Sequence, residues 1–153
     1  MTAVRPSLRV EKKLLGAGRV TVIGMDEVGR GAIAGPVAVG VAAVTIDIGR
    51  VPEGLADSKL LTAARREALD PVVRRWTRTA VGMASADVVD QQGIVPALGQ
   101  AGAAALSTLV ASGAALAGPV VLLDGSFDWP TRAVPAALDR KSTGSGKGGD
   151  LRG

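Results

Sequence analysis

The chain has no cysteine, no histidine and no tyrosine, and aromatic residues make up only 2% of it. These absences exclude thiolate and imidazole metal sites, cysteine nucleophiles, serine-histidine triads and histidine general bases. Any hydrolytic chemistry must then rest on carboxylates, which suit hard cations such as Mg²⁺ or Mn²⁺. Without cysteine there is no disulfide framework, which fits a reducing cytoplasm. The N-terminus carries Arg5, Arg9, Lys12 and Lys13 with no apolar run of signal-peptide length, so export is not expected. Residues 91–123 hold no charged side chain, a span longer than the ~18 residues that raise a transmembrane reading. Gly113 and Gly118-Pro119 interrupt it, so a buried helix, a turn and a buried strand account for it better, and no membrane is expected.

What is present fits one small domain: 153 residues, 47% hydrophobic. With so few aromatics the core must be packed from Val, Leu, Ile and Ala. Net charge is +4, from 18 basic and 14 acidic residues. The segment from residue 139 contributes +2 of this, because Arg140, Lys141, Lys147 and Arg152 outnumber Asp139 and Asp150. Arg65, Arg66, Arg74, Arg75 and Arg78 cluster around Glu67 and Asp70, a pattern equally suited to a phosphate-facing patch and to a solvated helix.

Residues 20–25 form a β-branched apolar run ending at Asp26 and read as a strand buried on both faces. Residues 37–48, opened by Pro36, read as a second, 77–84 as a third and 119–123 as a short fourth ending at Asp124. Thr62 can cap a helix whose Leu69, Val72, Val73 and Trp76 form one apolar stripe, with Pro71 able to kink or divide it. Ser85 is a second cap, for a short turn through Asp90, and residues 94–112 form an Ala-rich helix with Pro96 in its first turn. Strands alternating with helices give an α/β, mixed-sheet class. Residues 1–138 are the expected folded domain. Residues 139–153, rich in Gly, Ser and Lys, read as a flexible tail. A phosphate-loop reading of Gly146-Lys147 fails, because Lys141 stands where its first glycine belongs and Gly148 replaces its Ser or Thr.

The strongest local signal is Gly24-Met25-Asp26-Glu27-Val28-Gly29-Arg30-Gly31, followed by Ala34-Gly35-Pro36. Then come Leu55-Ala56-Asp57-Ser58-Lys59-Leu60, Val81-Gly82-Met83-Ala84-Ser85 leading to Ile94, and Val121-Leu122-Leu123-Asp124-Gly125. In this order, across residues 20–128, the four motifs resemble the signature of type 2 ribonuclease H, ribonuclease HII. The resemblance implies a ribonuclease H-like mixed sheet with flanking helices. It implies a monomeric endoribonuclease that hydrolyses the RNA strand of RNA/DNA hybrids, and ribonucleotides embedded in duplex DNA. Such an enzyme uses two divalent ions, Mg²⁺ or Mn²⁺, and leaves 3′-hydroxyl and 5′-phosphate ends. By the same resemblance Asp26, Glu27 and Asp124 are catalytic metal ligands, with Asp26 shared between ions. The Gly29-Arg30-Gly31 backbone meets the 2′-hydroxyl, the group that separates RNA from DNA, and Ser58 and Lys59 contact phosphate.

Adjacent acids on a regular strand point to opposite faces, so for Asp26 and Glu27 to share a site the chain must bend there, and Gly29 permits that. Taken singly, Asp124 could be a turn residue or helix cap, and Asp57-Ser58 could merely cap a turn. The family continues well beyond the Asp124 strand, with a helix supplying a fourth acidic ligand and a tyrosine that packs on the substrate sugar. Neither is visible in this sequence, and Asp139 and Asp150 do not match that helix. The expectation is therefore a chain apparently lacking the family's C-terminal part, with weak or no cutting of its own.

Two other classes match parts of the sequence. Gly29-Arg30-Gly31-Ala32-Ile33-Ala34 matches G-x-G-x-x-A after a strand, with Asp47 placed for a ribose, which suggests a dinucleotide-binding domain. Against it, Asp26 and Glu27 would set negative charge beside a pyrophosphate, and Pro36 opens a strand where that fold needs a helix. The other class is a non-catalytic nucleic-acid-binding fragment acting through its basic patch.

Overall fold

The computed structural model describes residues 6–31, 34–114 and 118–123, and the backbone of 139–142. The elements are α1 (Arg9–Gly16), β1 (Val22–Val28), β2 (Val37–Val44), a 3₁₀ turn (Ser58–Leu60), α2 (Ala63–Trp76), β3 (Arg78–Ala84), α3 (Ala86–Gln92), α4 (Ile94–Ala111), β4 (Val120–Leu123) and β5 (Asp139–Ser142). The strands form one mixed sheet in the order β3-β2-β1-β4-β5. β1 and β3 run antiparallel to β2, whereas β4 runs parallel to β1, and β5 to β4.

Period-two alternation divides the sheet into two faces. Ile23, Met25, Val37, Val39, Val41, Ala43, Ala80, Ala84 and Val121 turn toward α4 and form the main core with Ala97, Leu98, Ala101, Ala105, Leu106 and Leu109. Ile23, Leu98 and Leu109 are fully buried, and each such side chain contributes roughly 1.5–3 kcal/mol of transfer free energy. The charge-free composition of 94–111 thus reflects a helix laid on the sheet, although it is long and apolar enough to cross a membrane. Gly82 sets how closely it lies. A Cβ there would clash with the carbonyl oxygen of Ala101 and stand 2.5 Å from the amide nitrogen of Ala105.

The opposite face is covered over part of its area. Leu8, Leu14 and Leu15, on and beside α1, pack on Val22, Val44, Val120 and Leu122. Val28, Val81 and Met83 stay exposed. No element was expected over residues 9–16. The helix is short and polar apart from these leucines, so tertiary contact rather than propensity holds it.

The caps fall where expected. Thr62 Oγ1 accepts from Arg65 N (3.3 Å), opening α2, and Ser85 Oγ accepts from Val88 N (3.4 Å), opening α3. Helix α2 runs through Pro71 undivided, with Leu69 buried and Val72, Val73 and Trp76 half-buried along its stripe.

Three expectations need adjusting. The first strand does not end at Asp26 but continues to Val28, because the backbone of Asp26, Glu27 and Val28 stays paired with Gly40, Val39 and Ala38. The second stops at Val44 rather than residue 48. There Thr45 Oγ1 donates to Asp47 Oδ1 (2.6 Å) and Ile48 N to Thr45 O (3.2 Å), which turns the chain. The segment from residue 139 begins with four residues in strand β5; residues 143–153 lie outside the described residues.

Candidate active site

β1 brings two carboxylates to one end of the sheet. Asp26 is exposed and Glu27 is half-buried. By alternation Glu27 shares the α4 face with Ile23 and Met25, and Asp26 the other face with Val22. The expected bend is displaced: the ladder with β2 is regular through Val28, and the chain turns one residue later, at Gly29. Asp26 Oδ1 accepts a hydrogen bond from the Glu27 amide (2.9 Å).

On the other side of β1 the last described pair is Met25 with Leu123. Both acids therefore lie beyond the described β1–β4 pairing. Asp124 follows Leu123 directly in the chain but is outside the described residues. Among the described residues no three acids gather in a metal-binding group.

Gly29 has φ +96°, and a Cβ there would lie 2.8 Å from the Pro36 carbonyl oxygen. Both conformation and space therefore demand glycine, and the turn is pressed against the entry to β2. Gly31, two residues on, is exposed, with open space where a side chain would be. The turn carries Arg30 back toward the strand, where its guanidinium lies 3.6 Å from Glu27 Oε1. The pair is unevenly wet, the Arg30 side chain being 36% exposed and that of Glu27 17%. Sequence reasoning missed this contact, because three residues along a strand span roughly 10 Å.

Ser58 and Lys59 sit on a separate surface turn. Asp57 caps it, accepting from Lys59 N (3.0 Å), so the capping reading holds for Asp57. Arg66 fastens the turn by donating to the carbonyls of Ser58 (3.1 Å) and Leu61 (2.7 Å). Ser58 and Lys59 are exposed, and no hydrogen bond or ion pair among the described residues joins them to Asp26 or Glu27.

The arginine cluster is dispersed. Besides Arg66, Arg74 pairs with Asp70 (2.9 Å), whose hydrogen bond and charge raise the guanidinium above its usual pKa. Arg78 donates to the Ser112 carbonyl (2.6 Å). Arg74, Arg75 and Arg78 line a cavity of about 600 Å³ with Trp76 and Asp47, at the end of the sheet away from Glu27. Its polar groups are largely engaged within the chain: the Trp76 indole donates to Gly49 O (3.3 Å), and the Thr77 hydroxyl to Ala43 O. The Thr45 hydroxyl holds Asp47 below the usual carboxylate range. Asp47 is therefore remote from the Gly29 turn, and strand β2 rather than a helix follows that turn. This is not a dinucleotide-binding unit.

Comparison with known proteins agrees with the motifs. The sequence pattern of the family Ribonuclease HII matches residues 23–111. The chain is similar to the Ribonuclease HII of Streptomyces griseus, 47% identical over 136 residues, covering 84% of this chain and 55% of that protein. It is also similar to the Ribonuclease HII of Paracoccus denitrificans, 49% identical over 92 residues, 60% of this chain and 43% of that one. The fold resembles that of Bst-RNase HIII crystallised in complex with Mn²⁺ (TM-score 0.63, 20% identity, 94% of this chain and 51% of that one). It also resembles RNase HII in the PCNA complex from Archaeoglobus fulgidus (TM-score 0.60, 24% identity, 82% of this chain and 63% of that one). The chain spans about half the length of the Streptomyces relatives it matches.

Proposed function

Since the chain belongs to the ribonuclease HII family, we propose that Asp26 and Glu27 serve, with Asp124, as metal ligands of an endoribonuclease. Its substrates are RNA/DNA hybrids and duplex DNA with embedded ribonucleotides, and its products carry 3′-hydroxyl and 5′-phosphate ends. The observation that carries this reading is the pair Asp26-Glu27, set beyond the described β1–β4 pairing and followed by a turn that only glycine can make.

The donor set fits Mg²⁺ or Mn²⁺. It consists of carboxylate oxygens alone, and Glu27 already faces a cation, the Arg30 guanidinium. When bound, two such ions supply the charge that makes water nucleophilic and the leaving 3′ oxygen tolerable. Glu27 and Asp26 hold that charge at the end of the strand. The Asp26 carboxylate is oriented by the Glu27 amide, which fixes one of its oxygens. The Gly29-Arg30-Gly31 backbone, with open space where a Gly31 side chain would stand, lets a ribose 2′-hydroxyl come close, the contact that selects RNA over DNA. Ser58 and Lys59, exposed on their turn, offer a hydroxyl and a point charge to a phosphate. The reading as a purely electrostatic binder loses support, because Arg66, Arg74 and Arg78 are tied to intramolecular partners.

The test uses the purified 153-residue chain, Mn²⁺, and a DNA duplex with one ribonucleotide. Any cutting should leave 3′-hydroxyl and 5′-phosphate ends and vanish in Asp26→Asn, together with Mn²⁺ binding. Cutting or undiminished Mn²⁺ binding in a folded Asp26→Asn variant would refute the ligand assignment.

A further inference from the structure

Glu27 has the less exposed side chain of the pair, and a charged group drawn partly out of water is best kept beside an opposite charge. In this chain the counter-charge is covalently tethered. An extended strand would hold residue 30 roughly 10 Å from residue 27. The positive φ of Gly29, at a position where the Pro36 carbonyl leaves no room for a side chain, folds the chain back and brings the guanidinium to 3.6 Å from Glu27 Oε1.

We propose that Arg30 competes with the divalent cation for Glu27, acting as an internal cation that holds the carboxylate in place until a metal displaces it. This rests on the reading of Asp26 and Glu27 as metal ligands. A guanidinium and a divalent ion on one carboxylate would stand within a few ångströms of each other, and like charges at that separation repel. Arg30 can yield, because its side chain is the more exposed of the two and has solvent to move into. Its guanidinium is a planar donor beside the glycine turn, of a shape suited to bidentate contact with a phosphate. Coupling of this kind is reciprocal. Metal at Glu27 weakens the hold of that carboxylate on Arg30, and a phosphate that draws Arg30 away strengthens the hold of Glu27 on metal.

The experiment is a calorimetric titration of the full chain with Mn²⁺, without nucleic acid, for the wild type, Arg30→Gln, Glu27→Asp and the double variant. Partly exposed pairs of this kind are modest, so Arg30→Gln should bind Mn²⁺ about two- to fivefold more tightly than the wild type. In the Glu27→Asp background, where the carboxylate is withdrawn by one methylene yet still charged, the gain should disappear. Unchanged or weaker binding by Arg30→Gln would overturn the proposal. So would a gain of equal size in the Glu27→Asp background, which would reveal only the general field of a nearby positive charge. If neither the wild type nor Arg30→Gln binds Mn²⁺, the metal-ligand reading itself fails and this inference falls with it.

Discussion

The face of the sheet beneath α4 and the end of β1 follow opposite rules. Under α4 the residues are apolar and dry, and the closest approach is made through a glycine, Gly82, against the backbone of the helix. At the end of β1 two carboxylates, an arginine and a glycine turn stand partly in water, with the Glu27 amide on Asp26 and Arg30 beside the Glu27 carboxylate. The contrast teaches that stability and chemistry are carried by different residues, joined by one strand. Ile23 and Met25 anchor β1, and the next two positions are free to be acidic.

If that division is right, Gly82→Ala should be the most damaging single change to the fold. The new Cβ meets helix backbone that cannot step aside, so a loss of about 3 kcal/mol or more is expected, read as a fall in the denaturation midpoint. A Gly82→Ala chain of normal stability would show that the closed face has slack.

Next comes Asp26→Asn. It should lower any metal-dependent cutting by roughly a thousandfold while leaving chemical stability within about 0.5 kcal/mol. A large stability loss would mean that the acid is structural after all.

Gly29→Ala joins the two regions, since it lies in the site yet presses on β2. A stability cost of about 1–3 kcal/mol is expected, with weakened discrimination between ribose and deoxyribose, measured with matched RNA and DNA substrates. A change in only one of the two readouts would separate the turn's structural role from its proposed contact.

The smallest effect concerns Asp47, far from both regions. Its carboxyl is held below the ordinary value, first by the Thr45 hydroxyl, so its contribution to stability is present above the ordinary carboxylate range. That contribution is lost as pH falls through the lowered value. Thr45→Val should therefore melt slightly lower than the wild type at neutral pH, and the difference should close on acidification. A difference that widened in acid would reverse the sign of this argument.

Much of the fold was legible because local signals agreed. Thr62 and Ser85 are caps with apolar residues behind them, β3 alternates visibly, and β4 is a short apolar run after Gly118-Pro119. The end of β1 was harder, since side-chain polarity suggested a stop while main-chain pairing with Ala38, Val39 and Gly40 continues regardless. The second strand was read too long because Ile46 and Ile48 look like core, yet Ile46 is exposed on a turn set by Thr45 and Asp47. The motif around Asp26 lies at the end of β1. No local pattern reveals that Arg30 folds back onto Glu27, because that contact depends on the positive φ adopted at Gly29. The arginine cluster left two readings open in the sequence, because a run of like charges says nothing of carbonyls such as Ser112, which is distant in sequence.

The parallel pairing of Met25 with Leu123 has a further consequence. Two strands that run the same way cannot be joined by a tight hairpin, so β2, β3 and the three intervening helices must all be accommodated before β4 can dock. Closing so long a loop is slow relative to local helix formation. During synthesis on the ribosome, β1 would wait with that edge unpaired until residues 120–123 had emerged.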